Sequence, residues 1–207
     1  REYMDHLLRS LDGADKIITL TLNFNGGSIA DSFFYALSSS FSWIPLAFLF
    51  LYLLYKKTGG NWKAIFFVVC GLALTVTLCD QISSSIIKPL VMRPRPSHCP
   101  AICWLIHYVN NYHGGRFGFV SSHAANSFGA VVYTTVIIRR WRFTVASFLF
   151  AVLVSYSRIY LGVHYFGDII CGWILGTIIG LTMYGVVKRI PYVIFIKKAA
   201  VQKKTAA

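Results

Sequence analysis

An all-α, polytopic bundle of transmembrane helices, with five to six spans and an amphipathic interfacial helix at the N-terminus, is the fold this sequence predicts. Three observations carry it. Only 13% of the 207 residues are charged and 56% are hydrophobic, whereas ordinary soluble domains are about 25% charged. Five stretches approach the roughly 20 apolar residues that cross a bilayer. The cations behind the formal net charge of +13 gather in short loops between those stretches. They form no continuous stripe interleaved with aromatics, which argues against nucleic acid as a partner.

Residues 1–37 form the expected N-terminal segment. Tyr3, Leu7, Leu8, Leu11 and Ile17 alternate with Arg1, Asp5, Arg9, Asp12 and Asp15, a pattern suited to a helix lying in the membrane interface. Asn23-Phe24-Asn25-Gly26-Gly27 reads as a turn, with a helix restarting near Ser28. Asp31 and the two asparagines speak against a span over 17–36, although a sixth span before Ser39 stays open. Residues 38–190 form the expected transmembrane bundle. Its spans are about Ser39–Tyr55, Trp62–Ile87, Ser122–Ile138, Trp141–Tyr160 and Tyr165–Val187. A basic tail, 191–207, follows.

The loops give an orientation. Lys56, Lys57 and Lys63, then Arg139, Arg140 and Arg142, then Lys188 and Arg189 with Lys197, Lys198, Lys203 and Lys204, fall on one side of a five-span chain. The positive-inside rule makes that side cytoplasmic. The loop from Lys88 to Ser121 and the Gly162–His164 connection then face outward, in the periplasm or at the cell exterior. Of five cysteines, Cys70, Cys79 and Cys171 lie in apolar runs and read as small hydrophobes. Cys99 and Cys103 share the outer loop, where a disulfide and two free thiols are both open. A zinc site with His98 and His107 lacks a second cysteine pair.

Chemistry converges on the outer face. Lys88, Arg93 and Arg95 end the second span; Ser121, Ser122 and His123 open the third; Arg158 closes the fourth; His164 and Asp168 open the fifth. Ionisable groups at the edge of a membrane segment are expensive without a use. Several cations around a helix N-terminus suit a phosphate ester or anhydride, and Ser121 fits as the N-cap of that helix and a hydroxyl donor to phosphate. His164 and Asp168, four apart, share a helix face. The carboxylate fixes the imidazole tautomer and leaves the other nitrogen to attack, while His123 is free to act as general acid. Arg93 reads equally well as a headgroup anchor. Asp80 reads as support, pairing with Lys88 or another site cation or solvating a polar core with Gln81. Ser83, Ser84 and Ser85 read as helix-packing residues, and His6, His98, His107 and His113 as interfacial.

These residues resemble the type 2 phosphatidic acid phosphatase (PAP2) superfamily, in its bacterial membrane lipid phosphatase branch. Lys88 followed by six residues and Arg95-Pro96 matches its first motif. Val120-Ser121-Ser122-His123 keeps the serine and histidine of Pro-Ser-Gly-His, and Ser157-Arg158, His164 and Asp168 complete the third. The resemblance covers about residues 38–187. It implies His164 as a nucleophile forming phosphohistidine, Asp168 as its orienting partner and His123 as the acid for the leaving group. It implies Lys88, Arg95, Arg158 and Ser121 as phosphate ligands, with the backbone N–H of Ser122 where the family has glycine. Arg93 lies outside the motif. It further implies catalysis without a metal or other cofactor. The expected function is hydrolysis of a membrane lipid phosphate, with undecaprenyl diphosphate, lipid A, phosphatidylglycerophosphate and phosphatidate as candidates. Transfer of the phosphoryl group to another acceptor, and a non-catalytic lipid-binding or transport role, are the competing readings.

Overall fold

A computed structural model describes residues 2–193; of the expected basic tail, 194–207 lie outside the described residues. Among the described residues eight α-helices follow in order: α1 Glu2–Leu22, α2 Gly27–Leu37, α3 Ile44–Thr58, α4 Trp62–Gln81, α5 Lys88–Val91, α6 Ser122–Ile138, α7 Trp141–Tyr160 and α8 Phe166–Val187. Among the described residues there are no strands, only one isolated bridge between Pro94 and Phe117. Local chemistry sets many of the ends. Asn61 caps α4 by accepting the Ala64 N–H at 3.1 Å. Gly59 ends α3 in the left-handed conformation, φ 62°. Asp168 accepts the Tyr165 N–H at 3.1 Å at the start of α8.

Three of the five expected spans are long and apolar enough on their own: Trp62–Val91, α7 and α8. The first expected span, about Ser39–Tyr55, is the helical stretch Ser40–Thr58, which is not among those three. α2 and the helical stretch Ser40–Thr58 meet at 71° and together would make a fourth. α6 has 17 residues and runs inside the bundle, packed by α4, α7 and α8, so it has little need of an apolar lipid-facing surface. Outward residues such as Phe48, Leu149, Ile174 and Ile178 are exposed, as a lipid-facing surface requires.

α4 outlasts its expected end at Ile87. A π-helical turn, Ile82–Ile87, joins it to α5, giving 30 residues or about 45 Å at 1.5 Å per residue. Such a turn loosens the carbonyl ladder, and the Ser83 and Ser84 hydroxyls both bond the Asp80 carbonyl, at 3.0 and 2.6 Å. The Ser83 and Ser122 hydroxyls, the latter on α6, also lie within hydrogen-bond distance at 2.8 Å.

The α6–α8 seam is closed by glycine. A Cβ at Gly172, Gly176 or Gly180 would lie 2.8, 2.3 or 2.7 Å from the carbonyl oxygens of Ser121, Ala125 and Gly129. Small residues at four-residue spacing let membrane helices approach backbone to backbone. This contact carries Asp168, one turn above Gly172, to the start of α6, where its carbonyl accepts the Ser121 N–H at 3.1 Å.

α1 crosses the same end of the bundle and caps two helices. Its Asp15 and Thr19 side chains accept the Gly167 and Phe166 N–H groups of α8 at 2.8 and 3.1 Å. Asn23, just beyond it, donates to the Ile159 and Tyr160 carbonyls that end α7, at 3.1 and 2.7 Å. α2 lays Phe34 against Tyr156 and Tyr160. Its Asp31 accepts from the Tyr160 hydroxyl and stands 2.9 Å from His107 Nε2, so His107 is held in a polar cluster and is not a simple interfacial side chain. At the far end, Phe50, Leu54, Val68, Tyr133 and Ile137 form the main apolar core.

Candidate active site

The 92–121 loop folds back on itself so that Arg93 and Arg95 face inward. Gly118 N–H donates to the Arg93 carbonyl at 2.9 Å, and Arg95 N–H to the Arg116 carbonyl at 3.1 Å. Arg95 then reaches under the loop, its Nε donating to the Phe117 carbonyl at 3.1 Å and its Nη1 to the Val163 carbonyl at 3.2 Å. The same Nη1 lies 3.3 Å from His164 Nε2.

His164 sits in the short α7–α8 connection and is 1% exposed. Its Nδ1 is 3.3 Å from Asp168 Oδ2. That contact fits the tautomer with the proton on Nδ1 and the lone pair on Nε2. Burial, followed by the nearby charges of Arg95, Arg158 and Lys88, holds the imidazole well below its ordinary pKa. Burial and the neighbouring Arg158 also lower Arg95.

Arg93 is the largest departure from expectation. It is neither a headgroup anchor nor part of the cavity wall. Its guanidinium donates to Asp168 Oδ1 at 2.9 Å, Asp15 Oδ2 at 2.8 Å and Asp12 Oδ1 at 3.0 Å, and lies 4.0 Å above the Tyr165 ring. Burial works against its charge, but the acids outweigh it and the guanidinium is held above its ordinary range. Asp168 is therefore held on one oxygen by Arg93 and on the other by the Tyr165 N–H and His164.

A cavity of about 690 Å³ opens in front of His164. Lys88, Arg95, Ser122, His123, Arg158 and His164 share its wall. Lys88 Nζ donates to the Ser122 hydroxyl at 2.7 Å. Arg158, 3% exposed, bonds the Ser38 hydroxyl and the Tyr112 hydroxyl, the latter at 3.2 Å, while its Nε is buried with no partner among the described residues. Burial raises the Tyr112 phenol, but Arg158 more than offsets this and lowers it.

Ser121 differs from the expectation for a phosphate ligand. It is fully buried and absent from the cavity wall, and its hydroxyl accepts the Ala124 N–H at 3.4 Å as the N-cap of α6. The helix start needs that acceptor, and the side chain that faces the cavity is the next one, Ser122. Asp80 also lines the cavity and makes no ion pair within 4 Å among the described residues. Cys99 and Cys103 are free thiols. Sequence reasoning missed Ser38 and Tyr112, neither of which carries a motif, and Asn126, which lies one helical turn below His123.

Comparison with known proteins gives the family. The PAP2 superfamily model matches residues 68–192. The chain is 38% identical over 172 residues to a lipid A 4'-phosphatase of Porphyromonas gingivalis, covering 83% of this chain and 72% of that protein. It is 38% identical over 174 residues to a lipid A 4'-phosphatase of Bacteroides thetaiotaomicron, covering 83% and 76%. Among solved structures, the transmembrane PAP2-type phosphatidylglycerolphosphate phosphatase of Bacillus subtilis superposes with a TM-score of 0.62 at 18% identity, covering 87% of this chain and 88% of that one, and shares the fold. A family match over most of the chain, with two such relatives, makes this protein a member of the PAP2 superfamily: an integral membrane lipid phosphatase.

Proposed function

We propose that the protein removes a phosphate monoester from a lipid A-type glycolipid through a phosphohistidine intermediate, at a site facing the periplasm across the inner membrane. The observation that carries the mechanism is the two-sided environment of His164. Asp168 engages Nδ1, and Nε2 faces a cavity ringed by Arg95, Arg158 and Lys88. The substrate class follows the two lipid A 4'-phosphatase relatives.

In the first step the Nε2 lone pair forms an N–P bond as the P–O bond to the lipid breaks. The alkoxide takes a proton from His123, and Asp168 balances the charge that develops on the imidazole. Arg95, Arg158 and Lys88 neutralise the equatorial phosphate oxygens, with Arg158 Nε as an uncommitted donor. His123, now neutral, accepts a proton from the water that attacks phosphorus. The N–P bond breaks, inorganic phosphate leaves and His164 is restored. Ser121 contributes as the cap that fixes the start of α6, and Ser122 through its cavity-facing position.

Orientation has support in the charge distribution. Lys56, Lys57 and Lys63 flank the α3–α4 turn, and Arg139, Arg140 and Arg142 the α6–α7 turn. Lys57 donates to the Ile138 carbonyl at 3.1 Å, joining the two turns at the end opposite the site.

Purified protein is expected to release inorganic phosphate from a lipid A 4'-phosphate in the presence of a chelator. His164→Ala should lower turnover by at least about a thousandfold. Undiminished turnover in that variant would sink the mechanism.

A further inference from the structure

The cavity does not end at the phosphate-sized pocket. It descends beside α6 past Asn126, Ser127, Ala130, Val131 and Thr134, opposite Leu46 and Phe50 of α3. His123 and Thr134 are separated by about 16 Å at 1.5 Å per residue, enough depth for a lipid tail. Between the cationic mouth and this apolar shaft lies a second polar tier, made by Asp80 of α4 and Asn126 of α6.

Their common depth follows from the α4–α6 register. Ser83 bonds Ser122, and Cys79 packs against Gly129, so Asp80 lies level with the turn that holds Asn126. Both side chains line the cavity. Asn126 makes no side-chain hydrogen bond among the described residues, and its Oδ1 is buried without a partner. The Asp80 carboxylate has no ion-pair partner there either; the Ser83 and Ser84 hydroxyls bond its backbone carbonyl instead. A carboxylate and an unmatched amide on one wall of a membrane cavity are costly. The Asp80 carboxylate offers only acceptors, and the orphaned atom of Asn126 is its carbonyl oxygen. A group that satisfies both brings hydrogen-bond donors to a point just inside the phosphate.

Resting on the lipid phosphatase reading above, we infer that Asp80 and Asn126 form a specificity tier that reads an amide N–H or hydroxyl next to the phosphate-bearing end of the lipid. A diacylglycerol phosphate offers only ester acceptors at that depth, and a polyprenyl phosphate offers no polar group. An N-acylated or hydroxylated amphiphile supplies the donors. A site built to bond a donor discriminates strongly against analogues that lack it, because its own buried groups are then left unpaired.

The test compares two phosphomonoester lipids of matched chain length, ceramide 1-phosphate, with an amide N–H and a hydroxyl, and phosphatidate, with esters. Wild type should favour ceramide 1-phosphate in kcat/KM by at least about tenfold. Asp80→Leu and Asn126→Leu should each bring that ratio toward one, mainly by raising KM on the ceramide lipid. Asp80→Asn, which keeps shape and an acceptor, should retain most of the preference. Each ratio is taken on a single preparation, so partial loss of folded protein cancels. No preference in wild type, or an equal fall on both lipids in the leucine variants, overturns the inference. Phosphate release from neither lipid nor from a lipid A 4'-phosphate would instead overturn the hydrolase reading beneath it.

Discussion

Asp168 is fully buried, and its placement turns on one residue outside the family motifs. Arg93 fills one of its oxygens, leaving the other to face Tyr165 N–H and His164. Arg93→Gln should therefore lower kcat by about ten- to a hundredfold, the worth of one or two hydrogen bonds to a charged group. KM should move little, because Arg93 is not on the cavity wall; steady-state kinetics separates the two. His164 supplies a pH prediction. Attack needs the neutral imidazole, and burial among Arg95, Arg158 and Lys88 lowers its pKa well below 6.5 in the free site. The acid limb that this group contributes to kcat/KM should then lie below pH 6.5. The sign for stability is the opposite of a paired histidine: below pH 6.5 the unfolded chain takes up a proton that the native site refuses, so folding weakens as pH falls. A pH–rate profile beside thermal unfolding at the same pH values checks both.

At the scale of elements, the site is held by two devices away from the chemistry. One is the glycine seam between α6 and α8. A side chain at Gly176 would place its Cβ 2.3 Å from the Ala125 carbonyl oxygen, and backbone cannot move aside as a flexible side chain would. Gly176→Val should destabilise by about 1–3 kcal/mol through overpacking and lower the unfolding temperature in detergent. Activity should fall too, since separating the helices moves Asp168 away from the start of α6. The other device is α1. Its Asp12 and Asp15 anchor Arg93 while Asp15 and Thr19 cap α8, so an amphipathic helix becomes a structural wall of the dyad. The π-helical turn contributes on the opposite side by carrying the helix on to Lys88, whose ammonium meets Ser122.

Across the whole molecule, polarity is divided between two ends. One gathers the histidines, Asp168 and their arginines under α1; the other holds the basic turns and the main apolar core. The proposed orientation makes Cys99 and Cys103, both partly exposed free thiols, reachable from outside. A membrane-impermeant maleimide should label them in intact cells. In a Cys99→Ser, Cys103→Ser background, Trp141→Cys at the opposite end should label only after the membrane is opened. The reverse pattern would place the site in the cytoplasm.

The sequence by itself determined the helical class, the approximate bounds of α6 and α7 and the start of α4, and most of the cavity's ionic lining. Hydropathy runs and loop charges are local signals, and the motifs put Lys88, Arg95, His123, Arg158, His164 and Asp168 in order along the chain. The bend between α2 and the Ser40–Thr58 stretch, the continuation of α4 through a π-helical turn and the buried course of α6 were not legible, because each depends on which helices surround the segment. Only the tertiary structure decided that Ser122 and not Ser121 faces the cavity, that Arg93 joins α1 to Asp168, and that Asp80 and Asn126 stand level beneath the phosphate site, without a side-chain hydrogen bond or close ion pair among the described residues. Each of those facts is a side-chain direction fixed by packing between helices distant in the chain, and a pattern along one strand of sequence carries no such direction.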